Sequence, residues 1–71
     1  MADSVYKFIE LVGTSSESWE KAAAAAVTQA SKSVRDVRVA EIVQLDVTIE
    51  NGKIKSYRAK VKLSFKVESK G

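Results

Sequence analysis

The chain has 71 residues and a formal net charge of +3, and it contains no cysteine and no histidine. A chain of this length forms one small domain, residues 1–71, that buries only about 60% of its unfolded surface when it folds alone. Disulfides, zinc or haem sites built on cysteine or histidine, and the usual nucleophile–base pairs of enzymes are excluded, so we expect self-association rather than catalysis.

The first predicted element is a strand over residues 5–12, where apolar residues alternate along two overlapping patterns. The stretch GTSSES follows and predicts a turn that leads into a helix. Thr14, Ser15 or Ser16 can cap that helix, and Thr14 with Glu17 fits a capping box.

The second predicted element is a helix over residues 16–34, because apolar residues recur there at spacings of three and four. The apolar stripe is mostly alanine, which lets a helix lie close to a sheet. Trp19 and Val34 stand at its two ends, and we expect Trp19 to be a packing anchor rather than a ligand platform. The uncharged residues 22–31 are too few to span a bilayer, and no signal peptide is predicted.

Two long strands are predicted next, over residues 38–50 and residues 54–68. The apolar face of the first carries Val43, Leu45, Val47 and Ile49. Its polar face carries Gln44, Asp46, Thr48 and Glu50. In the second, odd positions are apolar and even positions are mostly basic. An Asn-Gly pair between them marks a hairpin. A three-residue loop, residues 51–53, keeps the apolar rows together and sets Asp46 opposite Arg58.

The order strand, helix, strand, strand predicts an α+β fold. Three antiparallel strands form one sheet, and the odd face of the last strand packs on the helix. The other face and the sheet edges then remain open, and further copies of the same chain are the simplest partners for them.

The polar face allows more than one interpretation. Basic residues crowd residues 53–70, yet no aromatic residue lies among them on that face, so we do not expect nucleic acid binding. Oxygen donors on the preceding strand suit calcium or another hard cation, and no EF-hand spacing is present. Such a site has to be assembled between chains or completed by water. A solvated strand face is the alternative. The oxygen donors are Glu41, Gln44, Asp46, Thr48 and Glu50.

Three segments, VYKFIELVGTSSESWEKAAAAAV, SVRDVRVAEI and SYRAKVKLSFKVE, together resemble the dodecin family over essentially the whole chain. The resemblance implies a small cytoplasmic protein in which a three-stranded antiparallel sheet wraps around one helix. It also implies that twelve copies, built from trimers, close into a hollow sphere, a homododecamer. Most members of the family bind flavins in pairs between aromatic side chains of neighbouring subunits.

Three positions depart from the family's flavin site. The stacking tryptophan early in the second strand is matched by Val39, and the glutamine that hydrogen-bonds the flavin edge is matched by Arg58. A basic residue late in the second strand is matched by Asp46. Val39, Gln44, Asp46 and Arg58 therefore lie at or near the family's flavin site, and the departures argue against flavin bound there in the family's manner.

The motifs SWE at 18–20, RVA at 38–40 and YR at 57–58, with Asp46, resemble a calcium-dodecin branch that lacks the stacking tryptophan and holds cations. This resemblance predicts metal ligands among Asp46, Glu41 and Glu50. The first hypothesis is thus a non-catalytic storage shell for calcium or a small ligand. The alternatives are a protein that binds and buffers flavin (FMN or riboflavin) and a nucleic-acid-binding module. Arg58 and its basic neighbours also suit a small anion.

Overall fold

The computed structural model describes residues 4–67 and contains three strands and one helix. In chain order they are β1 (Tyr6–Ser15), α1 (Trp19–Ser33), β2 (Val37–Glu50) and β3 (Lys53–Lys66). The strands form one antiparallel sheet in the order β1-β3-β2, so β3 is central. The predicted β-α-β-β architecture is confirmed. The predicted end of the last strand at residue 68 lies outside the described residues.

The first strand is longer than predicted, because its pairing with β3 continues through the GTS stretch. Thr14 lies opposite Arg58 and Ser15 lies opposite Tyr57. Both residues are therefore held in extended backbone and neither caps the helix. The turn predicted over residues 13–18 is therefore confined to residues 16–18. Small polar residues that favour turns also fit a strand when a long partner strand supplies the hydrogen bonds.

The helix begins later than predicted, at Trp19, and Ser18 is its N-cap. The Lys21 backbone N–H donates to the Ser18 hydroxyl over 3.0 Å, which satisfies one of the free donors of the first turn. The Ser15 hydroxyl instead accepts from the Glu17 N–H over 2.9 Å within the connection. The predicted capping box between Thr14 and Glu17 is therefore wrong.

The core lies between the helix and the two strands that it crosses, β1 and β3. It consists of Ala22, Ala26, Ala30, Ala59, Val61 and Leu63. The two backbones approach so closely that a Cβ on Gly13 would lie 1.9 Å from the Ala22 carbonyl oxygen. Glycine in β1 and alanine in α1 thus permit a separation that larger side chains would prevent. The predicted close packing of the alanine face, and the packing of the odd face of β3 on the helix, are confirmed.

The hairpin between β2 and β3 has a two-residue loop, not the predicted three-residue loop. Asn51 and Gly52 both have positive φ, 53° and 73°, and Glu50 pairs with Lys53. Positive φ at both central residues is typical of the type I′ turn that joins twisted strands. Lys55 is then an extra residue on β3, between the pairs Ile49↔Ile54 and Thr48↔Ser56. This bulge shifts the register by one residue and restores the matching of apolar with apolar rows.

The helix is too short to cover the sheet. Its 15 residues span about 22 Å, whereas each of the two 14-residue strands spans roughly 46 Å. The radius of gyration, 15.0 Å, exceeds the value of about 11 Å for a compact chain of this length. Large apolar side chains on β2 and at the hairpin consequently remain exposed. We call Ile42, Leu45, Ile49 and Ile54 the uncovered strip.

Within residues 4–67, no helix is both long enough and apolar enough to cross a membrane.

Candidate functional site

The face of the sheet opposite the helix is polar, and the basic residues of β3 run along its middle. Arg58, Lys60 and Lys62 occupy alternate positions there. Because β3 is the central strand, each of these cations has one neighbour from β1 and one from β2. Asp46 is the β2 neighbour of Arg58, and Thr14 is its β1 neighbour.

The strongest polar contact on this face joins Asp46 and Arg58. The Arg58 Nε donates to Oδ1 of Asp46 over 2.7 Å, and Nη2 donates to Oδ2 over 2.9 Å. The guanidinium therefore engages both carboxylate oxygens in a fork, the geometry that gives this ion pair its specificity. The pairing predicted from the strand register is confirmed, although the bulge at Lys55, rather than a longer loop, brings it about.

This ion pair also sets the charge of both partners. The hydrogen bond from Arg58 lowers the pKa of the Asp46 carboxyl below its ordinary value, with partial burial opposing the shift and the positive charges of Arg58 and Lys60 adding to it. The hydrogen bond to Asp46 and its negative charge raise the pKa of Arg58. Asp46 is therefore ionised at neutral pH and carries a full negative charge.

A pocket of about 230 Å³ lies beside the pair. All three strands contribute to it: Val12 comes from β1, Gln44 and Asp46 come from β2, and Arg58 and Lys60 come from β3. Lys60 lies between Val12 and Gln44 in the register, so neither of its direct neighbours is an acid. The pocket therefore combines two cations, one carboxylate, one amide and one apolar wall.

Trp19 connects the helix to this site from the other side of the sheet. Its indole N–H donates to the backbone carbonyl of Asp46 over 3.0 Å. Its ring meets the Tyr57 ring edge to face, with centroids 5.1 Å apart. Trp19 is 40% exposed and lies outside the buried core, so its role as a packing anchor stays a prediction. Its link to Asp46 was missed, because the two residues lie 27 positions apart and share no periodic pattern.

Comparison with known proteins identifies the family. A sequence model described as Dodecin matches residues 5–68. The chain belongs to the dodecin family. The calcium dodecin of Mycobacterium tuberculosis is 51% identical over 65 residues, which cover 90% of each chain. The resemblance predicted from the sequence is confirmed.

Solved dodecin structures share the fold. The dodecin from Streptomyces coelicolor superposes with a TM-score of 0.90 at 33% identity and covers 99% of this chain and 100% of its own. A crystal structure of the M. tuberculosis calcium dodecin, described as calcium chelating and as having a novel calcium-binding site, has a TM-score of 0.82 at 44% identity. That alignment covers 96% of this chain and 97% of the other.

Val39, the position that the family resemblance matches to a flavin-stacking tryptophan, lies two rows along the sheet from the pocket. It is 59% exposed and lies opposite Ser64 of β3. On the far side of Ser64, β1 places Phe8 in the same row, 61% exposed. The Lys62 ammonium lies 5.5 Å from the centroid of the Phe8 ring. An aromatic ring therefore does reach the basic face, and it comes from β1 rather than from β3.

The three predicted metal ligands do not come together within one chain. Asp46 and Glu41 lie opposite Arg58 and Lys62, which are four residues apart on β3, so the two acids are separated by roughly 13 Å along the sheet. Glu41 lies opposite Lys62, and Glu50 forms an ion pair with Lys55 at 3.5 Å beside the hairpin. Among residues 4–67, no cluster of three or more acidic side chains is arranged to hold a metal ion. A single chain thus offers calcium one carboxylate in this pocket, and the assignment of all three ligands stays a prediction.

Proposed function

We propose that this dodecin is a non-catalytic, cytoplasmic storage protein that assembles from trimers into a homododecameric shell and binds calcium at Asp46. The proposal combines two features of one chain: an apolar strip that its own helix leaves exposed, and an ionised carboxylate in a pocket on the opposite face. The 51% identity to a calcium dodecin supports the choice of cation.

The observation that carries the proposal is the environment of Asp46. Its carboxylate is about one-third exposed and ionised, and it borders a pocket that also contains the Gln44 amide. The hydroxyls of Thr48 and Ser56, 2.6 Å apart, lie in the next row of the sheet. Carboxylate, amide and hydroxyl oxygens are all suitable calcium ligands, and calcium requires six to eight of them. The remaining ligands then come from sister chains and from water.

Assembly supplies those sister chains. Ile42 and Leu45 pair with Val61 and Ala59 in the register, and therefore lie on the helix side of the sheet. They remain 48% and 47% exposed because the helix lies over β1 and β3. Contiguous apolar surface of this kind marks an association site, and a second copy of the chain covers it with matching chemistry.

Calorimetric titration with calcium chloride tests the site. We expect binding by the wild type and loss of most of that binding in Asp46→Asn, because the amide keeps the shape and removes the charge. Asp36→Asn is the matched control, since Asp36 has positive φ in the α1–β2 connection, where asparagine is equally tolerated. Equal calcium heats from the wild type and Asp46→Asn would contradict the site. Native mass spectrometry tests the shell, which requires a species with the mass of twelve chains.

A second candidate function is flavin binding in an altered mode, and Phe8 is the observation that favours it. Val39 offers no ring, and Arg58 is engaged by Asp46, so these residues do not favour flavin bound in the family's manner. The exposed Phe8 ring lies in the same row as Val39 and provides another stacking surface. FMN and riboflavin titrations should show quenched flavin fluorescence that Phe8→Leu abolishes. Val39→Trp serves as the positive control, and wild type that leaves flavin fluorescence unchanged removes this candidate.

A further inference from the structure

The pocket beside Asp46 carries an excess of positive charge. Arg58 occupies both oxygens of the only carboxylate that lines it. Lys60 lines the same pocket and, among residues 4–67, takes part in no ion pair. Two cations therefore share one anion, and the Lys60 charge is not balanced by a direct neighbour on either adjacent strand.

A calcium ion that enters this pocket alone meets two obstacles. It adds two positive charges to a site that already has one in excess. It also competes with Arg58 for the carboxylate oxygens, because the fork leaves neither oxygen without a guanidinium donor. The Arg58–Asp46 pair is thus an internal competitor of any cation that uses Asp46 as a ligand.

An oxyanion meets neither obstacle. A guanidinium has five N–H donors, and the fork to Asp46 uses only Nε and Nη2. The remaining donors of Arg58, together with the Lys60 ammonium, supply charged hydrogen bonds of the kind that bind sulfate, phosphate or carboxylate groups. The Gln44 amide borders the same space, and Val12 closes it from β1.

We propose that Arg58 and Lys60 form an oxyanion site, and that an anion bound there draws Arg58 away from Asp46 and so strengthens cation binding to that carboxylate. The first half stands on the pocket alone, whereas the second half rests on the proposed calcium function. The coupling is reciprocal: calcium at Asp46 must strengthen anion binding by the same factor by which the anion strengthens calcium binding.

Anion binding is tested first, without calcium, by calorimetric titration with sodium sulfate at an ionic strength held constant with sodium chloride. We expect the affinity to fall about tenfold in both Arg58→Gln and Lys60→Gln, the cost of one charged hydrogen bond. Lys62→Gln is the matched control: it removes the same charge from the same face of β3, one row further along, where Glu10 and Glu41 lie opposite. An equal loss in Lys62→Gln, or no sulfate heat in the wild type, overturns the proposal.

The coupling is tested by calcium titrations with and without sulfate, below the solubility limit of calcium sulfate. Sulfate should raise the calcium affinity of the wild type by up to about fivefold, the most that an exposed ion pair contributes to an equilibrium constant. Arg58→Gln should bind calcium more tightly than the wild type without sulfate, and sulfate should then change little. Calcium affinity that is unchanged or lower in sulfate overturns the coupling.

The two proposals fail in different ways. If neither the wild type nor Arg58→Gln binds calcium, the proposed calcium function and the coupling are both wrong, while the sulfate titration still decides the anion site. Circular dichroism and native mass spectrometry of each variant establish that the fold and the assembly are unchanged. A loss of binding heat in a variant can then be attributed to the change in the pocket.

Discussion

Two leucines on the same side of the sheet have opposite environments. Leu63 of β3 is fully buried against the alanine face of the helix, whereas Leu45 of β2 is 47% exposed. Both side chains point toward the helix side, as their register with neighbouring strands requires. The difference is one of position across the sheet, because one helix covers β1 and β3 and leaves most of β2 without a layer above it.

This comparison shows where the chain completes its own core and where it does not. The covered part combines small residues with close approach, so Gly13 and Ala22 nearly touch through their backbones. In the uncovered strip, Ile42 and Leu45 remain about half exposed, because among residues 4–67 the helix packs mainly on β1 and β3. Large branched apolar residues on a strand that no helix or second sheet covers are typical of an interface between subunits.

The largest expected effect follows from placing charges in the uncovered strip. The double substitution Ile42→Lys and Leu45→Lys should abolish assembly, because two buried ammonium groups without partners cost far more than an interface can offset. Circular dichroism should still show the strand and helix content of one chain. Size-exclusion chromatography with light scattering checks the mass, and an assembly of unchanged mass would contradict the proposed interface.

A substitution in the covered part should act on the fold itself. Leu63→Ala should lower the free energy of unfolding by about 2–5 kcal/mol, the cost of a buried leucine cavity. Leu45→Ala is the matched substitution outside the core. Its cost should depend on protein concentration, whereas that of Leu63→Ala should appear at every concentration. Urea unfolding at several concentrations distinguishes the two, and the same concentration dependence for both would remove the distinction between the two regions.

A substitution at the point where the helix approaches the sheet should lower the stability of the fold by a somewhat smaller amount. Gly13→Ala should destabilise the fold by up to about 3 kcal/mol, because the added methyl group meets the Ala22 carbonyl and the helix must move. Gly52→Ala is the control, since a Cβ there meets no atom within 4 Å. Its positive φ alone should cost about 1 kcal/mol. Chemical denaturation of both variants tests whether Gly13→Ala lowers stability more than Gly52→Ala, as the close contact between helix and sheet requires.

The smallest effect concerns the polar face and depends on pH. Because Arg58 lowers the pKa of Asp46 in the folded chain, the ion pair stabilises the fold above the ordinary carboxyl range. That contribution is lost as the pH falls through the lowered pKa. The difference in Tm between the wild type and Asp46→Asn, measured without calcium, should therefore be positive at neutral pH and shrink toward zero in acid. A difference that grows in acid would contradict this assignment.

Several features of the fold follow from short-range pattern. Strict alternation over β3 predicted which face of the strand packs on the helix, and the alanine stripe of α1 predicted close packing. The requirement that apolar rows match predicted that Asp46 lies opposite Arg58. This constraint gave the correct pair even though the predicted loop length was wrong. The residues quoted for the family resemblance also sufficed to identify a dodecin.

Other features were decided only in three dimensions. Thr14 and Ser15 belong to β1 because β3 is long enough to pair with them, and the helix therefore begins only at Trp19, with Ser18 as its N-cap. The two-residue turn alone would place apolar positions of β2 opposite polar positions of β3. The bulge at Lys55 shifts the register by one residue, so that the apolar rows match.

Local sequence by itself determined the two faces of β3, since side-chain alternation is a property of that strand alone. Along β2, the register shift between Ile42 and Gln44 decided that Ile42 lies on the same side as Leu45. The tertiary structure decided which residues meet across strands: the Trp19 indole at the Asp46 carbonyl, and Phe8 in the row of Val39. It also decided how far one helix reaches over a sheet roughly twice its length. These contacts depend on pairing and layer geometry between distant segments, and no periodicity within a segment encodes them.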